Sequence, residues 1–246
     1  MHYCKENQQK ELYLHYQITI FMNKKRITLS DKFRTACPVF KGCALYAKVE
    51  DTPHYDALWE EIAAATEWLR REFTPDSVKL RSGIHSTREA YKACGKDPSR
   101  YRPSNEQLSR RLLQGKQLYE VSTVVDLLNL ASIRFGYSIG GFDMDKVSGD
   151  DIVLDIGRKD EDYEGIGRGQ LNIDGMPVYR DSIGGIGTPT SDHERTKLSA
   201  DTKNLMCLIN GYDGNTDTIL ACAYYIADLL KRYAGTSEKD ILIEGY

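Results

Sequence analysis

Two stretches of the 246-residue chain gather side chains that could do chemistry. "GYSIG", from Gly136 to Gly140, has the G-x-S-x-G spacing that presents a nucleophilic serine in one large class of hydrolases. That role needs a strand before the serine and a helix after it, because the strained turn between them lifts the hydroxyl into the open. Here a helical pattern precedes Ser138 and irregular sequence follows, so Ser138 is expected to be a turn residue and not a nucleophile. The second stretch is "TPTSDHERT", 188 to 196, which follows the "GGIG" turn of Gly184, Gly185 and Gly187. It concentrates Thr188, Thr190, Ser191, Asp192, His193 and Arg195, giving donors, acceptors and one titratable imidazole in a single loop. A solvated surface loop and a ligand-lining loop fit it equally, since loops beside glycine turns often carry function.

Other candidate chemistries find less support. "GIGRG" (165–169) and "GGIG" lack the Walker lysine, and neither follows a strand and opens a helix, so both read as turns. The histidines at 2, 15, 54, 85 and 193 have no i, i+4 pairing, which leaves no metal site and no cofactor expected. None of the six cysteines (Cys4, Cys37, Cys43, Cys94, Cys207, Cys222) stands at C-x-x-C spacing, as suits unpaired thiols in a reducing cytoplasm.

The elements that would position these groups follow from periodicity and punctuation. Apolar residues at Tyr55, Leu58, Trp59, Ile62, Ala65, Leu69 and Phe73 predict a helix over 54–73, closed by Pro75. Capping-box spacings at Ser86/Glu89 and Ser104/Gln107 predict two more, ending at Gly95 and near Gly115. A fourth runs from Ser122 to Phe135 with Gly136 as its left-handed stop, and a last one covers about 216–233. Between these, "DIVLDIG" (151–157), "MPVYRDSIGGIG" (176–187) and "NLMCLINGYD" (204–213) are β-prone. Helices clustered first and strands later argue for an α+β domain, because a parallel α/β sheet would alternate them. Met22 opens a second possible start, so residues 1–21 are expected to be an extension and 22–246 a single domain. The apolar run at 219–230 is too short for a membrane span and is broken by Asp228, and no secretory layout opens the chain.

Formal net charge is only −3, but it is unevenly spread. From Lys79 to Lys116 ten basic residues stand against three acids; from Asp143 to Arg168 nine acids stand against four bases. The basic segment offers Lys79, Arg81, Arg88, Lys92, Arg100, Arg102, Arg110 and Arg111 as candidate phosphate contacts, although solvated helix faces give the same pattern.

"VSTVVDLLNLASIRFGYSIGGFDMDKV", 121 to 147, resembles the editing module of the bacterial phenylalanyl-tRNA synthetase beta subunit, formed by that subunit's third and fourth domains. Ser122 and Thr123 fall where the family has paired asparagines; Val124, Val125, Asp126 and Asn129 match; Gly141, Phe142 and Asp143 fall on the family's A-F-D. The likeness continues through "GGIG" to "DTKNLMCLINGYD" and spans roughly residues 99–213. It implies a mixed β-sheet core flanked by helices and a pocket that hydrolyses the ester of a mischarged aminoacyl-tRNA. By the resemblance, Asn129, Gly140, Gly141, Phe142, Asp143, Gly184, Gly185, Thr188, Ser191, Asp192 and Leu208 line that pocket, and His193, its one imidazole, is the candidate catalytic residue, expected as the general base. Three family polar groups are replaced: the pocket histidine by Gly140, the glutamate that reads the tyrosine hydroxyl by Leu208, and a threonine by Leu128. An apolar wall cannot reward a hydroxyl, so tyrosine selectivity is expected to be lost. The implied partner is tRNA or aminoacyl-tRNA, without DNA or membrane, and no synthetase activity is expected from a chain with no room for an aminoacylation domain. A non-catalytic RNA-binding module and a small amino-acid binder are the alternatives.

Overall fold

The computed structural model describes residues 24–246, so the suggested extension and Cys4 lie outside the described residues. Strand β1 (Arg26–Leu29), helix α1 (Asp31–Ala36) and strand β2 (Lys41–Lys48) come first. Helices α2 (Asp56–Glu72), α3 (Ser82–Cys94), α4 (Ser104–Leu113) and α5 (Thr123–Phe135) follow. Then come β3 (Ser138–Asp143), β4 (Asp151–Ile156), the small pair β5 (Glu164–Gly165) and β6 (Gly169–Gln170), β7 (Pro177–Arg180), β8 (Gly185–Gly187) and β9 (Asn204–Gly211). Helix α6 (Thr216–Tyr233) and strand β10 (Ile241–Gly245) close the chain. The class is α+β, as the clustering of elements implied.

Two four-stranded sheets form the body. One is fully antiparallel in the order β10-β2-β9-β3; the other, β1-β4-β7-β8, is mixed because β1 runs parallel to β4. Strand alternation sends Cys43, Leu45, Cys207 and Ile209 to one face of the antiparallel sheet, where they pack with Leu58, Leu127, Ala131 and Ile226 of the helices. Ala44, Tyr46, Met206, Leu208 and Phe142 point the other way and meet Ile152, Leu154, Tyr179 and Ile186 of the mixed sheet. The layers are therefore helix, sheet, sheet. Across the second interface the Tyr179 hydroxyl donates to Asn210 Oδ1 (2.7 Å) and lies 2.6 Å from the Tyr246 hydroxyl.

Several local expectations need correction. Helix α3 starts at Ser82, and Ser86 sits inside its first turns with Oγ donating to the Gly83 carbonyl (3.2 Å) instead of capping. The start is set by packing: a Cβ on Gly83 would come within 2.6 Å of the Gly136 carbonyl oxygen. Pro103, not Ser104, is the cap position of α4, and Gln107 Nε2 donates back to the Arg102 carbonyl (2.6 Å). Helix α5 does begin as expected, with Ser122 Oγ accepting from Val125 N and Asp51 Oδ1 from Val124 N. Gly136 ends it at φ 78°. Ser138 then opens strand β3, correcting its reading as a turn residue, and the predicted 176–187 strand is two strands folded at a turn.

Candidate functional site

Helix α5 carries Val125, Leu128, Asn129 and Ser132 at spacings of three and four, which brings them to one stripe beside β3. On β3, Ile139 and Gly141 share the face turned toward that stripe. All of these but Ser132, together with Val121, Ile166, Asp192, Lys197 and Leu198, enclose a cavity of about 400 Å³. A smaller chamber of about 150 Å³ shares Leu128, Asn129, Ile139 and Asp192 and adds Ser104, Leu108, Ser132, Thr188 and Ser191. The walls are mostly hydrocarbon; Asn129 and Asp192 stand where the two spaces meet.

The turn that delivers Asp192 is built by Thr188. Its hydroxyl accepts from the Thr190 and Ser191 amides and donates to the Ser191 carbonyl (3.0 Å). Tyr163 adds a hydroxyl donated to the same carbonyl (2.7 Å). Asp192 then bridges to Gly187, and its Oδ2 accepts from Gly141 N at 3.2 Å. Glycine makes room for the carboxyl: a Cβ on Gly187 would come within 2.8 Å of Asp192 Oδ1. Burial pushes this acid up to about 7, and the single Gly141 amide draws it back only in part. A carboxyl poised near neutrality beside an apolar cavity can take or give a proton at physiological pH.

His193 is turned elsewhere. Its Nδ1 accepts from Arg195 N (3.0 Å) and its ring meets Tyr163 edge-on, 4.9 Å between centroids. Burial, reinforced by Arg195, lowers its pKa. It is not among the residues that wall either space.

Of the pocket residues expected from sequence, Asn129, Gly141, Thr188, Ser191 and Asp192 do line the cavity or its chamber. Gly140, Phe142 and Leu208 do not, for a reason of strand parity. Gly140 is paired with Leu208 and Gly141 with Cys207, so Leu208 and Phe142 project into the core between the sheets, away from the cavity. Asp143 is a structural cap: Oδ1 accepts from Asp145 N, Oδ2 from the Thr202 hydroxyl (3.0 Å), and Lys146 pairs with it at 2.9 Å. Gly184 belongs to a turn closed on Asp181 Oδ1, and Gly185 packs under Tyr163. Val121, Val125, Ile139, Ile166 and Leu198 were missed; the apolar stripe 121, 125, 128 was their only sequence signal.

The basic residues divide sharply. Arg88, Arg102 and Arg110 converge on Glu106, whose side chain is fully buried. Arg81 caps α5, donating to the carbonyls of Ile133 (2.7 Å) and Arg134 (2.9 Å), and burial lowers it to about 10. These four are committed internally. Lys92 pairs with exposed Glu89 (2.7 Å), Arg100 lies over the Tyr101 ring and Arg111 over the Tyr119 ring, and Lys79 is exposed.

The profile of the B3/4 domain matches residues 86–235. The chain belongs to the B3/4 domain family, that of the phenylalanyl-tRNA synthetase beta subunit. The matched stretch includes every residue that walls the cavity and its chamber, while β1, β2 and β10 lie outside it. Among solved structures, an N-terminal fragment of the phenylalanyl-tRNA synthetase beta-subunit from Pyrococcus horikoshii is similar at 15% identity and a TM-score of 0.47. The alignment covers 89% of this chain and 51% of that one, so the chain spans about half of that fragment's length. No curated protein matches. Among the described residues, no helix is long and apolar enough to cross a membrane, and no group of His, Cys, Asp and Glu is arranged to hold a metal ion.

Proposed function

We propose that this B3/4 protein hydrolyses the ester of an aminoacyl-tRNA, with the aminoacyl side chain in the 400 Å³ cavity and Asp192 as general base. The observation that carries the reading is the half-buried carboxyl, raised to about 7, where the apolar space meets its smaller chamber, within the family's matched segment. In its ionised form Asp192 accepts a proton from a water as the water oxygen attacks the ester carbonyl. The carbon–oxygen bond to the ribose then breaks, and the same proton passes to the leaving ribose hydroxyl, releasing the free amino acid. Asn129, whose amide is not engaged by other described residues, is placed to donate to the carbonyl oxygen as negative charge develops there.

On this reading the expected loss of tyrosine selectivity rests on residues other than Leu208. Leu208 is outside the cavity, but Val125, Leu128, Ile139 and Leu198 wall it and leave a phenolic hydroxyl without a partner in that wall. An apolar aminoacyl group is the favoured substrate.

The test is single-turnover deacylation across a panel of charged tRNAs. Asp192→Asn should lower the rate at least tenfold, within the range of about 10² to 10⁴ that a general base supplies. Full activity in Asp192→Asn, with a tenfold loss in His193→Ala, would return the base to the imidazole. Inactivity on every charged tRNA, with free amino acids still bound, would leave the cavity as an amino-acid site only.

A further inference from the structure

The segment joining α4 to α5 carries a side chain whose placement the cavity alone does not explain. Tyr119 is 71% exposed, yet it is firmly held. Leu118, just before it, is buried in the core against the helices. Glu120, just after it, meets His54 Nδ1 at 2.5 Å, and Val121 N donates to Asp126 Oδ1 (3.3 Å). The Arg111 guanidinium covers one face of the ring at 3.8 Å from its centroid, while Arg111 Nε donates to the Gln117 carbonyl. Among the described residues no carboxylate pairs with Arg111, so its charge is not neutralised.

This ring stands two residues from Val121, which walls the cavity and is itself 59% exposed. Across the opening, Ile166 at the tip of the β5–β6 hairpin is 40% exposed and also walls the cavity. The cavity thus has an aliphatic rim, and two positions along the chain from that rim stands an exposed aromatic ring, covered on one face by a guanidinium with no carboxylate partner among the described residues. A flat, apolar, π-faced group carrying a neighbouring negative charge matches that combination. Fixing the ring in advance also removes most of the ordering cost of stacking on it.

We propose that Tyr119, backed by Arg111, is the seat for the unpaired base at the 3′ end of the RNA whose terminal ester enters the cavity. The proposal rests on the ester-hydrolysis reading. The base stacks on the free face of Tyr119, the preceding phosphate lies against Arg111, and the ribose spans the rim between Val121 and Ile166. This gives the protein a contact with the strand end that does not depend on the helix arginines held by Glu106.

The test uses a short single-stranded RNA ending in 2-aminopurine, whose fluorescence is quenched when its base stacks. The unmodified protein should quench it on binding. Tyr119→Ala should weaken binding about tenfold or more, and Tyr119→Trp should retain or tighten it, because any large ring serves a stack. Arg111→Ala should flatten the dependence of log affinity on log salt by roughly one phosphate's share, about 0.7 units for a single strand. In hydrolysis, Tyr119→Ala should lower kcat/KM for charged tRNA about tenfold relative to kcat/KM for an aminoacyl methyl ester, which has no base. Binding and quenching undiminished in Tyr119→Ala would overturn the seat. If no ester is hydrolysed while Tyr119-dependent quenching persists, the hydrolase reading falls and the seat stands.

Discussion

The proposed base role asks Asp192 to be ionised while half-buried against an apolar wall, and those demands conflict. Its carboxyl has one amide donor, Gly141 N, against the desolvation of an apolar cavity, which is why it titrates near 7. The conflict has a sign that can be measured. A carboxyl raised in the folded state makes the native protein bind the proton more tightly than the unfolded chain does. Its contribution to stability is therefore complete below about pH 4 and is lost as pH climbs through about 7. At roughly 1.4 kcal/mol per pKa unit the loss is at most about 4 kcal/mol, reduced by whatever solvent reaches the group. Asp192→Asn should remove this loss: denaturant midpoints should make the variant more stable than the parent at pH 8 and bring the two closer at pH 5. Parallel midpoints at both pH values would mean that the acid is not desolvated. On the proposed hydrolase reading deacylation should rise with pH through about 7 in the parent, over the same range in which Asp192 costs stability. The loop holding Asp192 was legible in the sequence as a cluster of polar side chains, but the imidazole beside it drew the base assignment. Only an imidazole titrates near neutrality without help. What gives Asp192 the same property is enclosure by the nearby Gly187 and by β3, and enclosure by a strand some fifty positions away has no local signature.

Helix α4 shows how charge can be structural at the scale of an element. Arg102 and Arg110 reach Glu106 from one turn on either side, and Arg88 reaches it from α3, so one buried carboxylate fastens two helices and the loop between them. Removing the anion leaves three guanidiniums facing one another. Glu106→Ala should cost about 3 kcal/mol or more in chemical denaturation, by the scale for breaking a buried ion pair. A loss under about 1 kcal/mol would show that the cluster is hydrated and loose. The same geometry separates two neighbours that look alike in sequence. Arg110→Ala should lower the melting temperature and leave the salt dependence of RNA binding as it was, whereas Arg111→Ala should do the reverse. Helices α2, α5 and α6 were readable because their apolar stripes keep helical period and their stops are explicit. Strand β2 was not, because "KGCALYAK" is buried on both faces and so shows no alternation. Strand β3 was hidden by its paired glycines, which read as a turn until a neighbour, β9, supplies the ladder.

For the whole molecule, β2 is the seam. It hydrogen-bonds to β9 on one side and β10 on the other, and its two faces contribute to both cores. Deleting residues 241–246 would strip β10 from it, together with the Tyr246 hydroxyl that meets Tyr179. The expected outcome is a lower denaturation midpoint and concentration-dependent association, followed by light scattering, since a bared apolar edge templates pairing with other chains. A monomeric truncation with an unchanged midpoint would show that β10 is ornamental. The pairing of Lys48 with Asn204 and of Ala47 with Ile241 also orders events in time. On the ribosome β2 is made early and both of its partners late, so through most of synthesis its backbone has no ladder to join. Helices α2 to α5 can form from local contacts in that interval, but the sheet on which they rest must wait for the last quarter of the chain. For that interval an eight-residue strand, buried on both faces in the finished fold, has neither of its ladder partners beside it.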